Sequence, residues 1–348
     1  MNTEFIDRIQ KELDKKIVGE EKLRMEILLH MMKSLVKNRH GTSYALVNGK
    51  SSSGKSYITK KVFDLLPWSE KNTKIKIFYR TRISPTAIGR HMAVLCKGGY
   101  VPSLDNYLFY LEDISQSLLD SDILKVMGSE GINETITING KAVEIRTTGI
   151  PVLIMTTASG VPSKEMTNRM SIMKTNDSEE QTNKIIKRYL NPMKQEYDKG
   201  LRTELAELKR VRVEVPFQNE LINLPMLKSV KIELRRDLPR FVDYIKASAA
   251  LNQKHREHKT INGVECVIAS EEDKNIALYV YSDRQTTTVV EDEILNSMKT
   301  NSGLTVKELI EYHNEIGLTR LYKVLYSLED KGFIKREKGL NGLIWLII

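Results

Sequence analysis

Gly49-Lys50-Ser51-Ser52-Ser53-Gly54-Lys55-Ser56 decides the fold. The stretch matches G-x-x-x-x-G-K-[ST], and its flanks supply the context that the pattern needs. Tyr44-Ala45-Leu46-Val47 before it is a short apolar run of buried-strand character, while Tyr57 to Leu66 after it has apolar residues at helical spacing and no proline. Strand, glycine loop and helix predict a nest of backbone N–H groups at a helix N-terminus, aimed at an anion. In that geometry Gly49, Ser53, Gly54, Ser56 and Tyr57 cradle the phosphates of ATP. Lys55 reaches the β- and γ-phosphates and the Ser56 hydroxyl faces Mg²⁺. The competing reading, a Gly/Ser turn that happens to carry a lysine, leaves both flanks unexplained.

The chain has 348 residues, enough for two or three domains with their own cores. Apolar content of 41% and charged content of 28% describe an ordinary soluble protein. No apolar run is long enough to span a membrane, and Met1-Asn2-Thr3-Glu4-Phe5 lacks the basic-then-apolar order of a signal peptide. The two cysteines, Cys96 and Cys266, read as packing residues of a reducing, cytoplasmic compartment. His255 and His258 share a helix face without a metal-ligating partner and read as surface residues. A net charge of +9 points to a polyanionic partner if the basic residues fall on elements placed to meet one.

Ahead of the loop, residues 3–16 and 21–37 read as amphipathic helices around the corner Ile17-Val18-Gly19, which is either an adenine-packing corner or a plain turn. Behind it, Lys74–Tyr79 alternates as a strand and Pro85–Cys96 reads as a helix closed by Gly98-Gly99. Asn106 to Leu111 is a buried strand that ends in Glu112-Asp113. A parallel strand delivering acids at its C-terminal end provides one group for the metal shell and one to orient or deprotonate the attacking water. The usual order is Asp then Glu; here Glu112 comes first, and which acid does which stays open. Helix 115–127 follows. Next, Glu134–Ile138 and Ala142–Arg146 alternate with period two around Asn139-Gly140, the strongest short-range signal of a type I′ hairpin, with Lys141 at its tip. Ile150 to Met155 is another buried strand, ending in Thr156-Thr157.

This layout resembles AAA+ ATPases with a hairpin before sensor 1, of which minichromosome-maintenance helicases are the best known and helicases of mobile elements and phages are closer. The local matches are Ser51–Tyr57, Ser129-Glu130-Gly131, Thr156-Thr157, Glu165–Arg169 and Arg235-Arg236-Asp237 followed by Ile245–Ala249. They span residues 17–260. The resemblance implies an α/β P-loop core with a parallel sheet and a helical lid, assembled as a ring, most often a hexamer, with ATP between subunits. It implies that Arg169 is the finger offered to the neighbour's ATP and that Thr156 or Thr157 is sensor 1, Thr157 being preferred. Arg236 and Arg240 compete as sensor 2. It also gives Lys141 contact with a DNA backbone in the ring channel.

Residues 178–212 read as polar, subunit-facing helices, Val211–Pro216 as the last core strand and 217–258 as a largely helical lid. Beyond 288, three helices and a hairpin read as a winged helix, presenting Thr319, Arg320 and Lys323 to a major groove and Arg336 and Lys338 on the wing. The division is therefore 1–215 core, 216–287 lid and 288–348 winged helix. The expected function is an ATP-driven DNA translocase or helicase of a mobile or viral element. The alternatives are an ATP-switched initiator or helicase loader, or an operator-binding regulator.

Overall fold

The computed structural model describes residues 4–68, 75–129, 131–158, 160–192, 198–224, 234–281, 287–300, 303–331, 333–339 and 342–347. Helices α1 (Glu4–Asp14) and α2 (Glu21–Met32) precede β1 (Ser43–Asn48), and the glycine loop joins β1 to α3 (Lys55–Leu65). Then come β2 (Lys76–Arg80), α4 (Pro85–Leu95), β3 (Tyr107–Leu111) and the short helices α5 (Gln116–Leu119) and α6 (Asp122–Met127). The hairpin of β4 (Asn133–Ile138) and β5 (Lys141–Arg146) follows, then β6 (Val152–Thr157), the single turn α7 (Lys164–Thr167) and β7 (Met170–Lys174).

Five of these strands form one sheet in the order β2-β3-β6-β1-β7. Every pairing in it is parallel. β1, β3 and β6 are buried along their whole length, which is why each reads as an almost unbroken apolar run. Side chains of α1, α2 and α3 pack one face, and those of α4, α5 and α6 pack the other. The chain is thus an α/β protein with a parallel five-stranded core. The hairpin turns through Asn139 (φ 50°) and Gly140 (φ 75°), both left-handed as a type I′ turn demands. Its Ile136, Ile138 and Val143 lie against the α4–α6 layer.

Three sequence expectations need correction here. Helix 115–127 is two helices, because Ser121 leaves the helical region (φ −72°, ψ 143°) between α5 and α6. The edge strand of the core is β7, a Met-rich segment for which no strand was expected. The strand expected at Val211–Pro216 belongs elsewhere. After α8 (Glu179–Leu190) and α9 (Lys199–Glu207), β8 (Arg212–Glu214) pairs in parallel with a strand of a separate small sheet. Helix α10 (Leu234–Leu251) leads to that sheet's other members, β9 (His258–Ile261) and β10 (Val264–Ile268), and then to α11 (Glu271–Tyr281). The lid region is therefore not purely helical: β9 and β10 form a second type I′ hairpin, at Asn262 (φ 50°) and Gly263 (φ 76°).

The C-terminal unit contains α12 (Val289–Thr300), β11 (Leu304–Thr305), α13 (Val306–Tyr312), α14 (Leu318–Asp330), β12 (Ile334–Gly339) and β13 (Gly342–Ile347). Its sheet is antiparallel in the order β11-β13-β12. Thr305 and Glu308 form the capping box of α13. Val161, from the loop after β6, is part of this unit's apolar core, so the unit is docked on the P-loop domain.

Where α2 meets α10, Lys33 is fully buried, with Nζ 3.5 Å from the centroid of the Tyr244 ring. Among the described residues, Nζ has no hydrogen-bond partner. Burial pulls its pKa down to about 7, with Asp243 opposing. Above that value the unfolded chain binds more protons than the folded one, so this group's contribution to stability rises with pH until the unfolded lysine also deprotonates. Lys33→Met removes that slope. The variant's gain in urea midpoint over the wild type is expected to be largest at about pH 6 and to shrink toward about pH 10; a gap independent of pH contradicts the assignment.

Candidate active site

Parallel pairing places the C-terminal ends of β1, β3 and β6 along one edge of the sheet, and the glycine loop lies there. Ser52 (φ 66°) and Gly54 (φ 83°) take left-handed conformations, curling the backbone into the nest expected from the sequence. Gly49 is required by space: a Cβ there would stand 2.2 Å from Thr175 Oγ1 and 2.4 Å from Ser53 Oγ. Thr175, at the end of β7, donates its hydroxyl to Ser53 (2.9 Å) and so buttresses the loop from the sheet edge. Lys55 is 8% exposed and its ammonium folds back on Lys50 O (3.3 Å). Burial lowers its pKa, and the Asp113 carboxylate opposes that shift. The nest, the inward lysine and the Ser56 hydroxyl form a donor set suited to a polyphosphate with its magnesium.

The two acids diverge. Glu112 Oε1 accepts from the hydroxyls of Tyr110 (2.7 Å) and Tyr79 (3.1 Å), which hold it on the β2–β3 side. Asp113 is exposed and faces Lys55 electrostatically. Its φ of 43° is unusual for a residue with a side chain, and its N–H donates to Thr156 Oγ1 (3.0 Å). Strained backbone that neighbours over-determine is a recurrent property of reactive sites.

The same Thr156 shares a hydrogen bond with Ser56 Oγ (3.3 Å). Thr157, preferred from the sequence, turns the other way: it donates to Ile114 O (3.2 Å) and accepts from Gly160 N–H (2.9 Å). Alternation along a strand explains the difference, since neighbours point to opposite faces. Tyr57 is exposed and donates to Lys16 O (2.8 Å), tying α3 to the Ile17-Val18-Gly19 corner. That corner is also fastened by Gln181, which donates to Val18 O (2.6 Å), and by Glu20, which accepts from Asn176 N–H (2.7 Å). Beside it, Glu20, Lys22, Glu26 and Tyr279 line a cleft of about 340 Å³. Burial pushes the Glu20 carboxyl up to about 7 and that of Glu26 up to about 8.

Three arginines lie away from this edge. Met170 pairs with Tyr44, at the start of β1, so Arg169 stands at the opposite end of the sheet from the loop. There it donates to Lys125 O (3.0 Å) and Ser129 Oγ (2.7 Å) and pairs with Glu165 (2.9 Å). Arg240 does not reach the phosphate loop of its own chain: it is 1% exposed and donates to Met170 O (3.0 Å) and to Asn168 O. Arg236 is exposed, one turn away on α10. Glu130 of the Ser129-Glu130-Gly131 match lies outside the described residues.

The C-terminal unit adds residues that sequence reading missed. Asn48, the last residue of β1, accepts from Val289 N–H (2.8 Å). Lys50 of the loop pairs with Glu293 (2.5 Å). Lys174 pairs with Asp292. A polar residue closing a buried strand just before the loop was the available signal for Asn48. Of the expected wing and recognition-helix residues, Arg320 is half-buried with Glu293 among its charge neighbours. Lys323 is exposed and borders a cleft with Gln116, Asp120 and Lys164 of the P-loop domain. Arg336 is engaged by Glu329 (2.7 Å) and stacks over Tyr326 and Trp345. The Lys338 side chain lies outside the described residues. Lys141 is exposed beside the hairpin turn.

The two threonines can be separated by substitution. Thr156→Val is expected to lower phosphate release from ATP on the order of 10²-fold, the scale seen when one well-placed polar group leaves a reacting centre. Thr157→Val should instead cost about 1 kcal/mol of stability through its lost hydrogen bonds, with turnover near wild type. Parallel turnover and urea-denaturation measurements check this, and the reverse pattern restores Thr157.

The family described as MTBMA_p00010 P-loop domain matches residues 2–214, which contain the loop, both acids, the hairpin and all five strands of the parallel sheet. No curated protein matches the chain. On that match and this geometry, the chain belongs to the MTBMA_p00010 P-loop domain family, and its parallel-sheet core is a P-loop nucleoside triphosphatase domain.

Proposed function

We propose that the chain is an ATP-driven DNA translocase or helicase of the AAA+ type that works as a ring, in the replication of a mobile or viral element. The observation that carries this reading is the hairpin β4–β5, inserted between the acid-ended strand and the threonine-ended strand with Lys141 exposed beside its turn. Movement around Glu112, Asp113 and Thr156 has a short covalent path to a basic tip. A lysine suits a backbone contact because it acts as a point charge without strict orientation.

The position of Arg169 supports a shared site. It lies a strand's length from its own loop, as a finger offered to another copy's loop would, and a head-to-tail contact of that kind gives a ring where the rotation closes. Lys55 and the nest would hold the phosphates, and Ser56 and Glu112 would hold the magnesium. Asp113, free on its solvent side, would orient the water and take its proton. Bound ATP supplies the phosphoryl group.

A second reading, an ATP-switched initiator or loader, is favoured by the C-terminal unit. Its three helices and β11-β13-β12 sheet support a winged-helix assignment, and it sits on the phosphate loop through Lys50 and Asn48 with Arg320 turned inward.

The test is strand displacement on forked DNA with ATP, run beside a measurement of mass in solution. Unwinding by a multimer is expected, whereas ATPase activity without unwinding selects the second reading. Mixing Arg169→Ala with Lys55→Ala subunits, each inactive alone, is expected to restore part of the ATPase activity. An arginine finger is worth on the order of 10³–10⁵ in rate, so even partial complementation is measurable. No rescue at any ratio removes the shared site.

A further inference from the structure

Residues 75–104 contain five Lys or Arg residues (Lys76, Arg80, Arg82, Arg90 and Lys97) and no Asp or Glu. Against a net charge of +9 for the whole chain, this concentrates positive charge on one short region. The region includes α4, whose inner face of Ile88, Met92 and Ala93 packs the core. Among the described residues, its outer face is open. Val94 is 69% exposed, and in the loop that follows Tyr100 is 60% and Val101 40% exposed.

That loop is shaped by two consecutive glycines, Gly98 (φ 75°) and Gly99 (φ 77°). A Cβ on either would meet nothing within 4 Å, so the glycines serve the left-handed backbone rather than close packing. They turn the chain so that Lys97, Tyr100 and Val101 face solvent side by side. The loop is anchored to the base of the hairpin: Cys96 Sγ donates to Arg146 O (3.3 Å), and Thr148 N–H donates to Pro102 O (3.0 Å). α4 packs on β5; Arg90 and Lys97 are exposed on and just after the helix, and Lys141, Glu144 and Arg146 are exposed along that strand. Among the described residues, no ion pair occupies any of these four cations.

We infer that the outer face of α4 and the Lys97–Val101 loop form a contact surface for single-stranded nucleic acid, with Tyr100 as its stacking platform. The surface rests on the nucleic-acid reading above and extends it beyond the hairpin tip. An aromatic ring held clear of the protein and flanked by unpaired cations is the combination that binds single strands without regard to sequence, the ring taking a base face and the cations the phosphates. An unfolded polypeptide would also use exposed Tyr100, Val94 and Val101, but it gives no account of a region without a single carboxylate.

The test is fluorescence anisotropy of labelled oligothymidylate against the full-length protein, over a range of salt. Tyr100→Ala is expected to weaken binding about ten-fold with the salt slope unchanged, and Tyr100→Phe to restore it. Lys97→Ala is expected to reduce the slope by about 0.7, the value for one phosphate contact on a single strand. ATPase activity without DNA should be unaffected in all three. If Tyr100→Ala and Lys97→Ala bind as the wild type does while Lys141→Ala is impaired, the surface is refuted and the hairpin contact stands. If the wild type itself fails to bind, the nucleic-acid reading falls and this surface with it. If Tyr100→Ala loses affinity only for a labelled, reduced and carboxymethylated polypeptide, the ligand class is overturned.

Discussion

The five strands of the core run in one direction, and that constraint decides which side chains can meet at the glycine loop. Parallel pairing sends every strand's C-terminal end to the same edge, where the glycine loop, Glu112-Asp113 and Thr156 collect. It sends Arg169 to the other edge, because Met170 pairs with Tyr44 rather than with Asn48. Four strand residues at about 3.3 Å each put roughly 13 Å between the two levels, beyond the reach of an arginine side chain. The arginine expected to complete the site is therefore excluded from its own loop by register, not by side-chain conformation.

Placing β6 between β1 and β3 has a second consequence. A threonine at the end of the intervening strand can touch both neighbours, and Thr156 does: it accepts from the Asp113 N–H on one side and meets the Ser56 hydroxyl on the other. Were β1 and β3 adjacent, the loop serine and the acid would face each other without a polar intermediary. The residue whose N–H makes this bond, Asp113, is also the one with the left-handed φ. The hairpin precedes β6 in the chain, so Lys141 of β5 lies one strand upstream of Thr156.

Much of this was legible in the sequence where a local rule had one solution. The glycine loop, the acid-ended strand and the Asn139-Gly140 hairpin are of that kind, and each stands where its residues predict. The same Asn-Gly rule applies to Thr260-Ile261-Asn262-Gly263-Val264, but there the hairpin was absorbed into an expected helical lid. A global expectation overrode a local signal. β7 was missed because Met170-Ser171-Ile172-Met173 is short, methionine-rich and without alternation, and only the partner strand β1 makes it a strand. Thr156 and Thr157 are equivalent in sequence; the phase of the pleat decides between them. Arg240 was a sensor 2 candidate, beside Arg236, only through the family resemblance. Its carbonyl partners at Asn168 and Met170 belong to a distant part of the chain, which no local pattern reveals.

The C-terminal unit shows how magnitudes sort contacts that look alike. Lys50–Glu293 touches the phosphate loop directly, yet Lys50 is 54% exposed, and an ion pair that solvated is worth about 1 kcal/mol or less. The contacts that hold the unit in place are better buried. Val161 is part of the unit's own core, the buried Ser327 donates to Pro162 O (3.4 Å), and Asn48 receives Val289 N–H at the foot of the loop. An anion arriving in the loop can therefore take Lys50 from Glu293 at little cost while the unit stays docked. Undocking the unit itself is a different matter. Moving α14 away from the loop that carries Val161 and Pro162 withdraws a buried aliphatic side chain, which costs about 1.5–3 kcal/mol. Occupancy of the phosphate loop alone thus loosens the near contact without releasing the far one.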